Sequence, residues 1–221
     1  MPHLVEPLQR ASYQQALQYL REAHDYLVRR AYDGAAPIAP GPTWGVESKR
    51  ISVSLEAENK PRSIGKSREA MAEVINMAAT LERLLGGLVW LTHRFPGGSV
   101  KTCHPSTSDA EGSCDLILVS VENHELARAE VSDVVATAQD SNQKERKDLR
   151  CLGCTVPMLE DRVARFLITA SGFGEYLVRE GRMWSNKTYH YQLHRAGDSA
   201  GTVLLEVLGR ISNPAVQGAR R

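Results

Sequence analysis

The feature that most constrains the fold is a pair of neighbouring segments between residues 115 and 135, because both have the pattern of β-strands. Residues 115–121 are an almost continuous apolar run, which is typical of a strand covered on both faces. A turn near residues 122–125 leads into residues 126–135, which the pattern predicts to be the partner strand. A sheet that is buried on both faces needs a layer on each side. The sequence therefore predicts an α/β fold with a central sheet flanked by helices.

The spacing of apolar residues predicts further elements around this hairpin. The predicted helices are 12–32 with Ser12 as the cap, 67–85 closed by Gly86 and Gly87, 142–152, and 173–179. The predicted strands are 50–56, 99–103, 163–169, 188–193 and 202–208. Residues 34–45 are predicted to be a loop, and residues 88–91 either a strand or a buried helix. Between residues 67 and 170 the order is helix, three strands, helix, strand, in a mixed sheet.

Length and composition restrict the class of protein. The 221 residues are enough for one substantial domain, and 42% hydrophobic with 24% charged residues is ordinary for a globular protein. The net charge of +1 does not by itself indicate a nucleic-acid partner. The chain lacks an apolar run long enough for a membrane span, and its N-terminus does not resemble a signal peptide. We therefore expect a cytoplasmic protein with no membrane partner.

The cysteines are expected to be reduced structural thiols, as is usual in the cytoplasm. Cys151 and Cys154 form a CxxC pair, but Cys103 and Cys114 do not supply a second pair at zinc-finger spacing. The CxxC pair also follows a predicted helix, which argues against a thioredoxin-like role. Neither zinc nor redox chemistry is the favoured interpretation.

Two acids define the candidate site. Asp115 opens the first strand of the hairpin and Glu130 lies within the second. Because side chains alternate along a strand, Arg128, Glu130 and Ser132 share one face, and Asp115 can face them from the neighbouring strand. Two carboxylates on adjacent strands can share a divalent cation, which is a common basis for phosphodiester cleavage. The alternative is that Asp115 ends a strand and Glu130 pairs with a nearby cation.

This arrangement resembles the PD-(D/E)xK nuclease superfamily, which includes many type II restriction endonucleases. Its pattern is an acid at the start of one strand and acid-x-Lys on the next, within an αβββαβ core. Asp115 and Glu130 match the two acids, and the resemblance covers about residues 67–170. It implies a single nuclease-like domain over residues 1–221, with an N-terminal helical extension at 8–45 and a C-terminal recognition region at 173–210.

The resemblance also implies a set of site residues. Mg²⁺, for which Mn²⁺ can substitute, would be held by Asp115, Glu130 and the carbonyl of Val131. The family lysine falls at Ser132, which carries no positive charge. Lys144 is the first candidate for a lysine recruited from the following helix, with Lys147 and Gln143 next. Glu73 on the preceding helix is a candidate outer carboxylate, ahead of Glu69.

Cations and aromatic residues that can contact nucleic acid occur in two places. The candidate DNA-binding residues are Lys147, Arg150, Arg182, Trp184, Asn186, Lys187, Tyr189 and His190. For any one residue of the basic helix, a solvated face is the more frequent situation. For the second group, an edge strand with ordinary packing is the alternative.

We therefore predict Mg²⁺-dependent, sequence-specific cleavage of double-stranded DNA by a homodimer of the restriction type, since a symmetric site calls for two related active sites. The main alternative is a catalytically impaired DNA- or partner-binding module on the same fold, marked by Ser132. A third possibility is a toxin or repair nuclease that acts on RNA or branched DNA, because substrate choice lies in the loops.

Overall fold

The computed structural model describes residues 8–34, 65–104, 114–132, 147–153, 162–180, 182–184, 187–197 and 201–212. The strands are β1 (Leu8–Ala11), β2 (Ser99–Cys103), β3 (Leu116–Val119), β4 (Glu125–Val131), β5 (Ala164–Ala170), β6 (Arg182–Trp184), β7 (Lys187–Arg195) and β8 (Thr202–Ser212). The helices are α1 (Tyr13–Gly34), α2 (Gly65–Arg94), α3 (residues 147–151) and α4 (Ser171–Glu180). None of the described helices is long and apolar enough to cross a membrane.

The strands form one eight-stranded mixed sheet in the order β1-β2-β3-β4-β5-β8-β7-β6. Strands β1 to β4 pair antiparallel in chain order, and β5, β8, β7 and β6 also pair antiparallel. Among the described strands, the single parallel pairing joins β4 to β5. A parallel pair requires a long crossover connection, and α3 belongs to the chain between these two strands. The predicted mixed α/β sheet with flanking helices is confirmed.

Each face of the sheet is covered by its own layer of helices. On one face, α1 and α2 pack against Leu116, Leu118 and other apolar residues of β2 to β5. On the other face, α3 and α4 pack against Ile117, Leu167 and their neighbours. All four residues of β3 are buried, so the prediction of a strand covered on both faces is confirmed.

Helix α1 begins where the sequence predicted. The Gln15 amide donates to Ser12 Oγ at 3.2 Å, and the Ser12 amide donates to Gln15 Oε1 at 2.9 Å. These reciprocal bonds are a capping box, which satisfies amides that the first turn leaves without helical partners. The helix ends at Gly34, two residues beyond the predicted end.

The predicted end of the second helix was wrong. Helix α2 continues through Gly86 and Gly87 to Arg94, so residues 88–91 are helical. A Cβ on Gly87 would lie 2.5 Å from Ile168 Cδ1 of β5. The glycine therefore allows the helix to approach the sheet closely, and the following Leu88 and Leu91 are fully buried. In a sequence, a glycine pair usually marks the end of a helix. Here Gly87 instead marks a close contact between the helix and the sheet.

Other boundaries differ by a few residues. Strand β3 ends at Val119, and Val121 is 83% exposed in the turn that the sequence predicted. Asn123 in this turn has a φ of 65°, a conformation that asparagine tolerates better than most residues. Helix α4 begins at Ser171 instead of Phe173. The predicted loop 34–45 except for Gly34, the strand 50–56 and the start of the helix at 142–146 lie outside the described residues.

Candidate active site

The two acids lie opposite each other at one end of the β3–β4 pair. Leu116 pairs with Ala129 in the antiparallel register, so one step further Asp115 faces Glu130. Both side chains are 3% exposed. Since Ala129 and Val131 pack under α1 and α2, alternation places Glu130 on the opposite face, which α3 and α4 cover. The predicted adjacency of the two carboxylates is confirmed.

Each carboxylate is held by the backbone of the other strand. The Asp115 amide donates to Glu130 Oε2 at 3.0 Å, and the Val131 amide donates to Asp115 Oδ2 at 2.8 Å. Hydrogen bonds to a charged acceptor are stronger than neutral ones and fix the side chains in place. These bonds engage one oxygen of each carboxylate. The pair is therefore oriented before any ligand arrives.

Two buried carboxylates in this arrangement repel each other when both are charged. Directly opposed cross-strand side chains have Cβ atoms about 5 Å apart. At about 5 Å and an effective dielectric constant of about 20, the repulsion is on the order of 3 kcal/mol. A divalent cation between the carboxylates would remove this cost. A cation at this place would be attracted by both carboxylates.

The donor atoms around the pair fit Mg²⁺. Within the described part of the chain, no group of three or more His, Cys, Asp and Glu side chains could hold a metal. The oxygens at this place are those of two carboxylates and of the backbone. Mg²⁺ accepts such a set and keeps several waters. In an extended strand the amide and carbonyl of one residue point to the same side, so Val131 O lies on the Asp115 side of β4. The predicted ligands Asp115, Glu130 and Val131 therefore converge.

Ser132 lies on the same face as Glu130, next to the carboxylates. It is fully buried, and its Oγ has no hydrogen-bond partner among the described residues. Its neighbour across the parallel β4–β5 pairing is Thr169, since the Ser132 amide donates to Ile168 O at 2.9 Å. Thr169 is also fully buried, and its Oγ1 has no partner in the described ranges. A buried hydroxyl without a partner costs about 1–3 kcal/mol, so this hydroxyl pair would gain from an ordered water or a ligand oxygen.

Sequence reasoning identified Ser132 but missed Thr169. The two residues are 37 positions apart, and only the parallel pairing of β4 and β5 brings them together. Thr169 lies near the end of β5, directly before the start of α4. A polar residue close to the end of an apolar strand was the available signal.

The thiols near the site remain protonated. Burial, and then the charge of Asp115, raises the pKa of Cys103 to about 12. Burial and the charge of Glu130 also raise the pKa of Cys114, whose Sγ donates to Cys151 O at 3.0 Å. A protonated thiol is a poor metal ligand. Cys103, Cys114 and Cys151 are buried and form no disulfide, as expected for structural thiols, and Cys154 lies outside the described residues.

Helix α3 presents its cations to solvent beside the carboxylate pair. Lys147 and Arg150 are exposed, whereas Leu149 packs in the core of this face. The buried Arg165 of β5 donates from Nε to Leu152 O at 3.0 Å and from Nη1 to Val163 O at 2.9 Å. Arg165 thereby fixes the C-terminal end of α3 against the sheet.

Four side chains that the sequence predicted to assist the acids lie outside the described part of the chain. Lys144 and Gln143 lie outside the described residues. Glu69 and Glu73 belong to α2, which packs on the other face of β4, and their side chains also lie outside the described part. Their roles remain predictions.

The second group of candidate DNA-binding residues is separate from the carboxylates. Arg182 and Trp184 lie in β6, and Lys187 and Tyr189 lie in β7. His190 is exposed, and Asn186 lies outside the described ranges. Strands β5 and β8 stand between this group and β4. The structure therefore brings Lys147 and Arg150 near the acids but not the β6–β7 residues.

No protein-family model, curated protein or solved structure matches this chain. The likeness to the nuclease superfamily therefore remains a resemblance of motif and element order. What the chain does has to follow from its own residues.

Proposed function

We propose that this chain is a Mg²⁺-dependent endonuclease that hydrolyses phosphodiester bonds of DNA. The observation that carries the proposal is the pair of buried carboxylates, Asp115 and Glu130, held face to face by reciprocal hydrogen bonds at 2.8 and 3.0 Å. Two oriented carboxylates side by side are a donor set that suits a hard divalent cation.

The order of elements supports a restriction-endonuclease-like core. From α2 the chain continues through β2, β3, β4, α3 and β5, which is the αβββαβ order that the resemblance implies. The two acids stand directly before β3 and within β4, as the family pattern requires. Cleavage of both strands of a symmetric site by a homodimer is part of the proposal.

Asp115, Glu130 and the Val131 carbonyl would hold the cation, and Ser132 lies beside them. Bound Mg²⁺ would lower the pKa of a water molecule and neutralise charge on the phosphate. The Ser132 hydroxyl can orient a water by hydrogen bonding. The water would lose a proton to solvent as its oxygen bonds to phosphorus. The bond from phosphorus to the leaving oxygen would break, and that oxygen would take up a proton from solvent.

Ser132 cannot supply the positive charge that lysine supplies in the family. In this chain that charge would come from α3 or from the segment before it, where Lys144 and Lys147 are the candidates. Lys147 is exposed on α3, and Arg165 fixes that helix against the sheet. Fixed placement matters because electrostatic stabilisation depends on preorganised charge.

The second candidate function is a catalytically impaired DNA- or partner-binding module on the same fold. Two observations favour it: Ser132 carries no charge, and both acids are 3% exposed. The two functions differ in their dependence on a divalent cation. The nuclease requires Asp115 and Glu130 together with a divalent cation, whereas the binding module is indifferent to both.

The test is cleavage of plasmid and phage DNA, unmodified and modified, with Mg²⁺, Mn²⁺ or EDTA. Wild type is compared with Asp115→Asn and Glu130→Gln. The matched control is Glu125→Gln, which makes the same change on β4 in an ion pair with Lys101 and Arg128. We expect metal-dependent fragments that the two site variants lose and the control retains. No cleavage by wild type in any metal would refute the proposal.

A further inference from the structure

Four cations lie in one row that crosses the sheet from β1 to β5. Arg128 of β4 is paired in register with Arg165 of β5 on one side and with Ile117 of β3 on the other. Lys101 of β2 lies beside Ile117, at a bulge in the β2–β3 pairing, and Arg10 of β1 lies opposite Lys101. None of the four cations was among the candidate DNA-binding residues, because only the strand pairing brings them together.

The backbone is irregular where it places the outer two cations. Lys101 is the extra residue of the bulge, and bulges can turn a side chain into a new direction. Arg10 has a φ of 52°, a left-handed conformation that is uncommon for arginine. Cations on the edge strand β1 can serve to prevent aggregation, but β4 and β5 lie inside the sheet. Since like charges directly opposite each other disfavour strand pairing, the row points to a role in binding.

Two adjoining cavities follow this row. The first has a volume of about 570 Å³, and its described lining includes Arg10 and three serines but no acid. The second has a volume of about 300 Å³ and is lined by Arg128 and Arg165 among others. Lys101 and Asn123 line both cavities. The two cavities therefore form one continuous groove, which we call the basic groove.

The basic groove carries an excess of positive charge. Among the described residues that line it, four are Arg or Lys and one, Glu125, is an acid. Glu125 holds two of the cations side by side, with Lys101 Nζ at 2.8 Å and Arg128 Nη2 at 2.7 Å from its oxygens. Arg165 is 5% exposed, and its bonds to two backbone carbonyls fix it beneath the groove. A cleft lined mainly by one sign of charge concentrates ligands of the opposite sign.

The length of the row suits a chain of phosphates better than a single anion. The four strand spacings from β1 to β5 amount to about 19 Å. At about 3.4 Å per nucleotide, this distance corresponds to about six nucleotides of one strand of B-form DNA. The described lining contains no Trp, Tyr or Phe, so it offers cations for phosphates and no platform for unpaired bases. We propose that the basic groove binds the phosphate backbone of double-stranded DNA.

The basic groove runs beside the candidate active site. Arg128 and Glu130 lie two residues apart on the same face of β4, about 7 Å along the strand. A DNA backbone held in the groove would therefore pass next to the carboxylate pair. The inference rests on the proposed nuclease function and assigns the surface that holds its substrate. Because phosphate contacts carry no base information, this part of the binding should not depend on the DNA sequence.

The test is fluorescence anisotropy with a labelled DNA duplex at several salt concentrations, in EDTA so that cleavage cannot occur. Arg10 and Lys101 are exposed, so their substitution should leave the fold intact. Arg10→Gln and Lys101→Gln should each reduce the slope of log affinity against log salt by about 0.9, and the double variant by about 1.8, because each removes one phosphate contact. Lys101→Arg keeps the charge and should keep the wild-type slope.

The control is Arg21→Gln, which makes the same change at an exposed site on α1, over the opposite face of the sheet. It should keep the wild-type slope. An unchanged slope in both Arg10→Gln and Lys101→Gln, or an equal loss in the control, overturns the inference. Calorimetric binding of inorganic phosphate without binding of the duplex also overturns it, because the groove would then be a site for a small anion.

The two proposals fail in different ways. If the slope depends on Arg10 and Lys101 but wild type cleaves DNA in no metal, the nuclease alone is refuted. If wild type cleaves DNA with metal and both variants keep the wild-type slope, the basic groove alone is refuted.

Discussion

Replacing Glu130 by glutamine should stabilise the protein when metal is absent. The substitution keeps the shape of the side chain and an oxygen that can accept from the Asp115 amide. It removes a repulsion on the order of 3 kcal/mol. Weakening one charge-assisted hydrogen bond costs about 1 kcal/mol. The net gain of about 2 kcal/mol corresponds to a Tm increase of roughly 4–8 °C for a chain of this size.

The same substitution should remove the response to metal. A cation at 100 times its Kd stabilises the wild-type fold by about 2.7 kcal/mol, whereas the variant should gain much less. The assay is thermal unfolding at pH 8 in EDTA and with Mg²⁺ or Mn²⁺. The two proteins should exchange their order of stability when metal is added.

Glu125→Gln is the matched control, because Glu125 lies on the same strand and contacts cations instead of a carboxylate. Lys101 Nζ and Arg128 Nη2 approach its oxygens at 2.8 and 2.7 Å. Its substitution should lower Tm in EDTA and leave the metal response intact. The reasoning fails if Glu130→Gln lowers Tm in EDTA, or if Mg²⁺ stabilises wild type and this variant equally.

Three further predictions concern stability. Burial raises the pKa of Glu125, but hydrogen bonds from Lys101 and Arg128 outweigh it and lower the pKa overall. Its ion pairs should contribute about 0.2–1 kcal/mol each above pH 4.5. In urea unfolding, Glu125→Gln should be as stable as wild type once the pH falls below the folded-state pKa. Arg165→Met leaves two carbonyls without their donor and should cost about 2–4 kcal/mol by the same method. Gly87→Ala should lower the free energy of unfolding by about 1–3 kcal/mol, because the new methyl group overpacks against Ile168, and Ile168→Val should restore part of this loss. Gly172→Ala, which places its methyl group in open space in α4, should raise the free energy of unfolding by about 0.5–1 kcal/mol. Thermal unfolding measures both.

Local patterns in the sequence predicted the centre of the fold. The apolar run of β3 and the short turn to β4 specify an antiparallel pair, and this pairing alone places Asp115 opposite Glu130. The helix cap at Ser12 could be predicted for the same reason, since all of its interactions lie within a few residues. The chemical role of the two acids stays a prediction, because the strand pairing shows where Asp115 and Glu130 lie but not what they bind.

The pairing of residues distant in the chain could not be predicted from the sequence. Gly87 has the local signature of a helix end, and only the approach of α2 to Ile168 explains why the helix continues. Thr169 meets Ser132 through the parallel pairing. Each of these contacts joins residues that are distant in the chain, so no local spacing pattern predicts it.

The single parallel pairing also has a consequence for how the chain folds. It divides the sheet into two antiparallel blocks. The block β5 to β8 is contiguous in sequence from residue 164 to residue 212, whereas in the other block β1 pairs with β2 across about 90 residues. Contacts of high sequence separation form slowly, and cooperative units often coincide with such blocks. The contiguous block β5 to β8 can therefore form before β1 joins β2 in the other block. Amide exchange should show the two blocks as distinct units.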